Sequence, residues 1–431
     1  YPMHILKGYT KQEISWMMYD WANSAHSVII VTLLPIFFDT VAGYTADSVS
    51  SMSTWGYATS IAMLIVALAA PFLGVFGDIR GMRKKLFSFF MLLGVAACAG
   101  MAFTPGMDFT SGPVAAGKVA SLILVLYIVS VIGFDASAIY YDAFLTDVTI
   151  EDRMDKVSTM GYGLGYIGGS TIPLLIFLIM NLVGVPMLTC LAFVFGLTAV
   201  WWLAFSLPLL KNCEQTSGKP YEKGDVARSI KGVGTTIKEI IANKPMLIYI
   251  LSYFFYIDGV HTVISMATTY GTNLGLDSTG MMLALLLVQI LGLPFCLLYI
   301  KCSEKFGART MVGFGICVYM FICIFAFFMN SLWQFWVLAV LCATSQGGIQ
   351  ALSRSMYGKL IPDKDRSGEF FGFFDIFGKF SSIMGPALVG VVSSVVANGM
   401  LGAQGLTAPA FRETYQWLTE QKAAEEREIG S

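Results

Sequence analysis

The sequence has 431 residues, of which 56% are hydrophobic and 13% are Asp, Glu, Lys or Arg. Because soluble domains carry about 25% charged residues, this composition excludes a water-soluble globular protein, and a formal net charge of −1 leaves no basic field for nucleic acid. The mean hydropathy of +0.69 predicts an all-α polytopic membrane protein in a lipid bilayer, with length for about twelve spans.

Eleven apolar stretches are long enough, at about 20 residues each, to cross a bilayer as helices. They cover residues 14–38, 55–77, 86–104, 119–145, 158–181, 187–210, 246–271, 279–301, 309–330, 332–358 and 370–397. We therefore divide the chain into a six-helix bundle (1–210), a central loop (211–244), a second bundle with five clear spans (245–397) and a polar tail (398–431). A twelfth span is not evident.

The eight cysteines lie mostly inside apolar runs and form no C-x-x-C pair. We interpret them as small packing residues of the membrane core, since neither metal ligation nor a disulfide framework fits this scatter. The three histidines are too dispersed to make a local metal cluster. We expect no metal site and no cofactor.

The Lys and Arg residues outside the spans fall almost entirely on one side of the membrane. The opposite loops hold only Lys118. Because cytoplasmic loops retain positive charge, we expect the N-terminus and the central loop to be cytoplasmic. The basic residues on that side include Lys7, Lys11, Arg80, Arg83, Lys84, Lys85, Arg153, Lys156, Lys301, Lys305, Arg309, Lys359, Lys364 and Arg366.

Two pairs of spans resemble each other across the central loop. The first span carries Asp20 followed by His-Ser-Val-Ile at 26–29, and the seventh carries Asp258 followed by His-Thr-Val-Ile at 261–264. Spans 5 and 11 also echo each other, over 161–172 and 372–383. Repeats in the same order predict two pseudo-symmetric halves around an axis normal to the membrane, which is the plan of secondary transporters with a midplane site.

A loop motif lies between spans 2 and 3. It reads Gly74-x-x-x-Asp78-Ile79-Arg80-Gly81-Met82-Arg83-Lys84 and resembles the cytoplasmic loop signature of the major facilitator superfamily, with Ile79 where the signature has a base. A glycine turn that places an acid beside bases can latch one helix end to another in one conformation only. The alternative is a simple positive-inside anchor, and the register of both glycines with the acid favours the latch.

Other segments resemble one particular branch of the major facilitator superfamily. The chain looks like the autophagy-related vacuolar amino-acid effluxer-like branch of that superfamily, in its bacterial form, on the segments at 19–25, 161–169, 256–260, 347–355, 369–373 and 378–380. The resemblance implies the major facilitator fold and a transporter whose yeast relatives release amino acids such as leucine and tyrosine from the vacuole. For a bacterial chain it implies the plasma (inner) membrane.

Polar residues inside the spans are the candidates for function, because an ionisable side chain at the bilayer centre costs at least about 2.5–3.5 kcal/mol. The residues predicted to bind substrate or couple protons are Asp258, His261, Lys379, Asp135, His26, Asn23, Tyr162, Tyr166, Gln289 and Gln350. The residues predicted to form a gate or latch are Gly74, Asp78, Gly81, Arg83, Lys84, Asp20, Asp142, Arg354 and Asp375.

Two of these assignments have open alternatives. Asp258 and His261 share one helical face. They bind either a substrate ammonium group or a proton, or else they form a hydrogen bond to a neighbouring helix. Lys379 anchors a substrate carboxylate or forms an internal ion pair with Asp375, one turn before it. Lys379 and Asp258 are the deepest base and acid, so together they could hold the two charges of an amino acid.

These patterns predict a secondary transporter that moves a small solute, amino acids first, by alternating access, with protons as a candidate coupling ion. The chain lacks the nucleotide-binding loop G-x-x-x-x-G-K-(S/T) and has no recognisable pair of nucleophile and base, so we do not expect an enzyme. The alternative is a proton-coupled exporter of lipophilic cations. A channel or a non-transporting receptor fits less well, because a two-state latch serves alternating access. We expect a monomer.

Overall fold

A computed structural model describes residues 6–45, 51–220 and 225–403, and these ranges are helical almost throughout. The first seven helices are α1 (Lys11–Ala42), α2 (Ser51–Gly77), α3 (Arg83–Met101), α4 (Pro113–Val148), α5 (Met154–Gly165), α6 (Ile172–Leu182) and α7 (Met187–Asn212). The others are α8 (Asp225–Ala242), α9 (Lys244–Asn273), α10 (Ser278–Phe306), α11 (Ala308–Phe327), α12 (Leu332–Leu360) and α13 (Ser367–Ala403).

Ten helical segments among the described residues are long and apolar enough to cross a membrane, and they coincide with the first ten predicted spans. The eleventh predicted span lies on α13, which is not one of those ten. The part of the predicted tail at 404–431 lies outside the described residues. The predicted central loop contains the helix α8, which the sequence analysis did not anticipate.

A side-chain cap fixes the start of α1. Thr10 accepts a hydrogen bond from the Glu13 amide at 3.1 Å, and Glu13 accepts one from the Thr10 amide at 2.8 Å. This reciprocal capping box satisfies two of the amides that a helix N-terminus leaves without partners. Glu13 also binds Arg153 at 2.7 Å and Thr149 at 2.7 Å, so the cap ties α1 to the turn before α5.

The fifth span is one continuous helical path with a π-helical turn in its middle. That turn, Tyr166–Thr171, joins α5 to α6 where α1 crosses closely. A Cβ atom on Gly168 would lie 2.0 Å from the Trp21 ring, and one on Gly169 would lie 2.5 Å from the Trp21 carbonyl oxygen. The glycines therefore let the two backbones approach, as small residues do in membrane helix packing.

The buried apolar side chains form two clusters. One is built almost entirely from α1 to α7 and includes Trp16, Phe144 and Trp202. The other is built mainly from α8 to α13 and includes Ile250 and Tyr357. The division of the chain at 210 and 244 stays a prediction.

The structure separates into two compact units between Ser381 and Ser382. Every contact described below lies within the first unit.

Candidate functional site

One cluster of charged groups centres on Lys379 of α13. Its Nζ atom donates a hydrogen bond to Asp135 on α4 and lies 3.8 Å from an Asp375 oxygen one turn earlier on its own helix. The side chains of Lys379 and Asp135 are 18% and 3% exposed, so the pair is shielded from water. Asp375 was the ion-pair partner that the sequence offered for Lys379, whereas the closer partner in the structure is Asp135, 244 positions away.

Arg354 on α12 occupies a second cluster. Its guanidinium bonds Asp20 on α1 at 3.2 Å and Asp142 on α4 at 3.1 Å. The cation also lies over the rings of Trp16 and Tyr162, with centroids 4.7 and 4.6 Å away. A planar, always charged guanidinium suits this combination of two carboxylates and stacked rings. The structure thus brings together Asp20, Asp142 and Arg354, which the sequence had grouped as a gate.

One face of α4 supplies both clusters. Asp135 and Asp142 are seven residues apart, so they lie on the same face about 10 Å apart along the helix axis. Each of them binds a base from the second half of the chain. These two ion pairs therefore link α4 to α12 and to α13.

The Asp78 carboxylate of the loop motif contacts the start of α13. Its two oxygens accept hydrogen bonds from the amides of Gly368 at 2.7 Å and Glu369 at 2.8 Å, where the helix dipole favours an anion. Arg83 bonds the same carboxylate at 2.9 Å. Burial raises the pKa of the Asp78 carboxyl to about 7, while Arg83 and the two amides act in the opposite direction.

The close approach of α2 to α13 depends on glycine. A Cβ atom on Gly74 would lie 2.2 Å from the carbonyl oxygen of Gly368, which no side chain can tolerate without moving the helices. Gly81 ends the turn with a φ of +82°, in the left-handed region that glycine adopts without strain. The loop between α10 and α11 also turns on a glycine with positive φ, Gly307 at +84°. Gly81 and Gly307 therefore share a positive φ in corresponding loops of the two halves.

Arg83 is fully buried and joins further groups. It bonds Asp147 at 2.5 Å and donates to the Ser367 hydroxyl at 2.8 Å. Asp147 therefore pairs with Arg83, whereas Asp142, five residues earlier on α4, pairs with Arg354. Lys84, the next residue of the motif, is half-buried.

Residues that follow α7 wrap around this loop, and we call residues 213–219 the strap. The Gln215 side chain accepts from the Gly81 amide at 2.9 Å and donates to the Gly77 carbonyl at 2.9 Å. Gly218 donates its amide to Asp365 in the second half at 2.8 Å. The sequence analysis missed the strap because its residues look like an ordinary polar linker.

The other predicted site residues have varied surroundings. His26 is buried, contacts the Ser130 hydroxyl at 3.2 Å and stacks on Phe134, which is a packing environment. His261 contacts the Ser381 hydroxyl at 3.3 Å. Asn23 is buried, and Asp258, Gln289 and Gln350 are half-buried.

Tyr166 packs against glycines of the second half. Cβ atoms on Gly292 and Gly347 would lie 2.4 and 2.7 Å from its ring. Of the two predicted tyrosines, Tyr162 therefore joins the Arg354 cluster, and Tyr166 fills the contact with α10 and α12.

Two further links between the halves were missed. Ser158 accepts a hydrogen bond from Arg354 at 3.0 Å and donates one to the Ala351 carbonyl at 2.8 Å. Asp155 bonds Lys359 at 2.7 Å and accepts from the Ser355 hydroxyl at 2.6 Å. The sequence signal for these contacts was the group of basic residues at 354–366, which includes Arg354 and Lys359.

Comparisons with known proteins identify the family of this chain. Residues 9–399 match the family model described as vacuole effluxer Atg22 like. The uncharacterized MFS-type transporter YxiO of Bacillus subtilis is 43% identical over 399 residues, covering 91% of this chain and 90% of that protein. Autophagy-related protein 22-1 of Penicillium rubens is 25% identical over 274 residues, covering 58% of this chain and 46% of that protein, so the match spans about half of the fungal relative.

Solved structures support the fold. The proton:xylose symporter XylE, a major facilitator superfamily protein, superposes with a TM-score of 0.65 at 14% identity, covering 91% of this chain and 90% of that chain. A bacterial homologue of the iron transporter ferroportin in its outward-facing state superposes with a TM-score of 0.61 at 15% identity, covering 89% and 91%. At these identities the likeness establishes the fold alone. With the family match over most of its length, the chain is a multi-pass major facilitator transporter that belongs to the vacuole effluxer Atg22-like family.

Proposed function

We propose that this transporter moves amino acids by alternating access, and that the Lys379, Asp135 and Asp375 cluster binds the solute. The carrying observation is a buried base held between two carboxylates from different helices. A zwitterion presents one carboxylate and one ammonium, so its carboxylate can bind Lys379 while its ammonium takes the place of Lys379 on Asp135 or Asp375. The family resemblance to vacuolar amino-acid effluxers supports the same substrate class.

The gate in this proposal is the series of contacts on the predicted cytoplasmic side. Asp78 at the start of α13, the Arg354 cluster and the Asp155 pair with Lys359 all join the two halves there. Opening toward the cytoplasm would require these contacts to break together. We assign Asp78, Gly74, Arg83 and Gly81 to the latch, and Asp20, Asp142 and Arg354 to the gate.

The experiment is a transport screen with the purified full chain in liposomes. Leucine, tyrosine, lysine, a dipeptide and a lipophilic cationic dye are offered with and without a pH gradient, and empty liposomes provide the background. Saturable uptake or counterflow of amino acids supports the proposal. Transport of the dye without any amino acid contradicts it.

A second candidate is the export of lipophilic cations. It is favoured by aromatic rings close to Asp375, where Tyr253 stacks on Phe374 at 4.2 Å and Phe254 meets Phe377 at 6.1 Å. Such a site needs carboxylates and rings but not a base. Lys379→Met would then leave dye transport intact, whereas under the first proposal it would abolish amino-acid transport.

A further inference from the structure

Two carboxylate oxygens beside Lys379 are buried without a donor. Asp135 contacts Lys379 through Oδ1, while its Oδ2 and the Oδ2 of Asp375 have no hydrogen-bond partner in the described part of the chain. The Asp135 side chain is only 3% exposed, so bulk water cannot supply the missing bonds. Because buried carboxylate oxygens are rarely left without donors, this pair of oxygens is suited to receiving a further positively charged group.

The positive charges near Asp135 and Asp375 do not balance the two carboxylates. Lys379 contributes one positive charge against the two carboxylates of Asp135 and Asp375. Arg354 of α12 is the base that contacts α4 at the next cluster, and it is already shared between Asp20 and Asp142.

The described contacts of the neighbouring helix α9 bring no base to the cluster. The helix carries another acid, Asp258, and the ring of His261, whose Nδ1 contacts the Ser381 hydroxyl. The cluster therefore holds one more negative than positive charge when its three groups are ionised.

We propose that Asp135 and Asp375 form a subsite for a monovalent cation, so that each cycle carries one net positive charge together with a zwitterionic amino acid. A zwitterion adds no net charge, and a site with an uncompensated charge is costly to close off from water. The cation has three possible sources: a proton, an alkali metal ion or a charge on the solute itself. This inference rests on the proposed function.

The test is the voltage dependence of leucine uptake by the purified chain in liposomes, with the potential set by a potassium gradient and valinomycin. One charge moved by 100 mV allows at most about 50-fold accumulation. We expect an interior-negative potential to drive leucine inward in the wild type. Repeating the assay with only protons, with sodium, or with N-methylglucamine as the external cation identifies the source, and lysine tests whether the solute can supply the charge.

Three variants locate the effect. Asp375→Asn gives the cluster equal numbers of charges, so its leucine exchange should no longer respond to voltage, and Asp375→Glu should restore the response. Asp277→Asn is the matched control, because Asp277 is an exposed N-cap of α10 and Asn caps equally well. Leucine uptake that does not respond to voltage in the wild type would overturn the inference and leave the proposed function standing.

A binding measurement that does not depend on transport distinguishes failure of the cation subsite from failure of the proposed function. In detergent, a change to pH 5, sodium, lithium or methylammonium chloride should raise the melting temperature of the wild type and Asp375→Glu by a few degrees at a saturating concentration. Asp375→Asn should not respond. If no amino acid is transported but this stabilisation is seen, the proposed function fails and the cation subsite stands. If none of these cations stabilises the wild type, or Asp375→Asn responds equally, the subsite is wrong.

Discussion

At the scale of single residues, Lys379 and Arg354 are bases of the second half of the chain that pair with acids on α4. Each base meets two carboxylates, and in each cluster one of them comes from α4. Removal of one member of a buried pair leaves an uncompensated charge, which is more costly than removal of both. The two bases differ in kind, because Lys379 offers a compact ammonium while Arg354 offers a planar fork that also stacks on rings.

We expect Lys379→Met to destabilise the protein more than the double variant Asp135→Asn/Lys379→Met. The single change leaves the buried Asp135 carboxyl without its base, and removing one partner of a buried pair typically costs about 3–5 kcal/mol. The double change replaces both members of the pair by neutral groups. Thermal unfolding in detergent measures the difference, and Lys118→Met, at an exposed position, is the control. Equal melting temperatures for the single and double variants would show that the two residues are not coupled.

We expect Arg354→Lys to weaken the gate even though the charge is kept. A lysine cannot bond Asp20 and Asp142 as a fork while stacking on Trp16, so the closed state loses contacts. The readout is the maleimide labelling of Cys296, which is buried on α10 against Gly347 of α12.

Labelling of Cys296, resolved by mass spectrometry, should rise several-fold in Arg354→Lys. Cys98, buried in the core of the first half, serves as the internal reference, and Arg309→Lys at an exposed position serves as the control variant. Unchanged labelling of Cys296 would contradict the role of Arg354 in closing this side.

At the scale of elements, the crossing of α2 with α13 is the contact on which the proposed latch depends. Asp78 can reach the amides of Gly368 and Glu369 only because Gly74 lets the two helices touch. The strap then fixes the turn after α2 through Gln215. The start of α13, the close contact at Gly74 and the strap thus all hold the end of α2 and the turn that follows it.

We expect Gly74→Ala to favour the state that is open on the predicted cytoplasmic side. The new methyl group would lie 2.2 Å from a backbone oxygen, so α2 and α13 must separate and Asp78 loses its two amides. Cys296 labelling should therefore increase.

Gly56→Ala is the matched control on the same helix, because a Cβ there meets nothing within 4 Å. Alanine is the better helix former by about 1 kcal/mol, so this variant should be as stable as the wild type or more so. An equal response of the two variants would mean that the α2 and α13 contact does not hold the latch.

At the scale of the whole molecule, the sequence predicts which side of the membrane each loop faces. The loop that includes Lys118 carries one base, whereas the loops around Arg80 and Arg153 carry several. The positive-inside rule places the latter in the cytoplasm, and the latch and gate lie on that same side.

We expect a membrane-impermeant maleimide to label Ser111→Cys, and not Glu151→Cys, in intact cells. Both positions are exposed and lie at opposite ends of α4. The exposed Cys317 and Cys323 are first replaced by serine to lower the background. The reverse labelling pattern would invert the topology and place the latch on the outer side.

The sequence by itself determined the class of protein, the position of the first ten spans and the family. These follow from local properties, since an apolar run of fixed length and a short motif can be read without knowing what packs against them. The loop motif was also visible in the sequence, because its glycines and its acid lie within eleven residues of one another.

Only the tertiary structure decided which acid meets which base. Lys379 binds Asp135 across 244 residues, Asp147 joins Arg83 rather than Arg354, and the strap and α8 fold where a plain loop was expected. Each residue turns a helix by about 100°, so the direction of a side chain depends on how whole helices rotate and cross. That rotation is set by long-range packing, and no local pattern in the sequence records it.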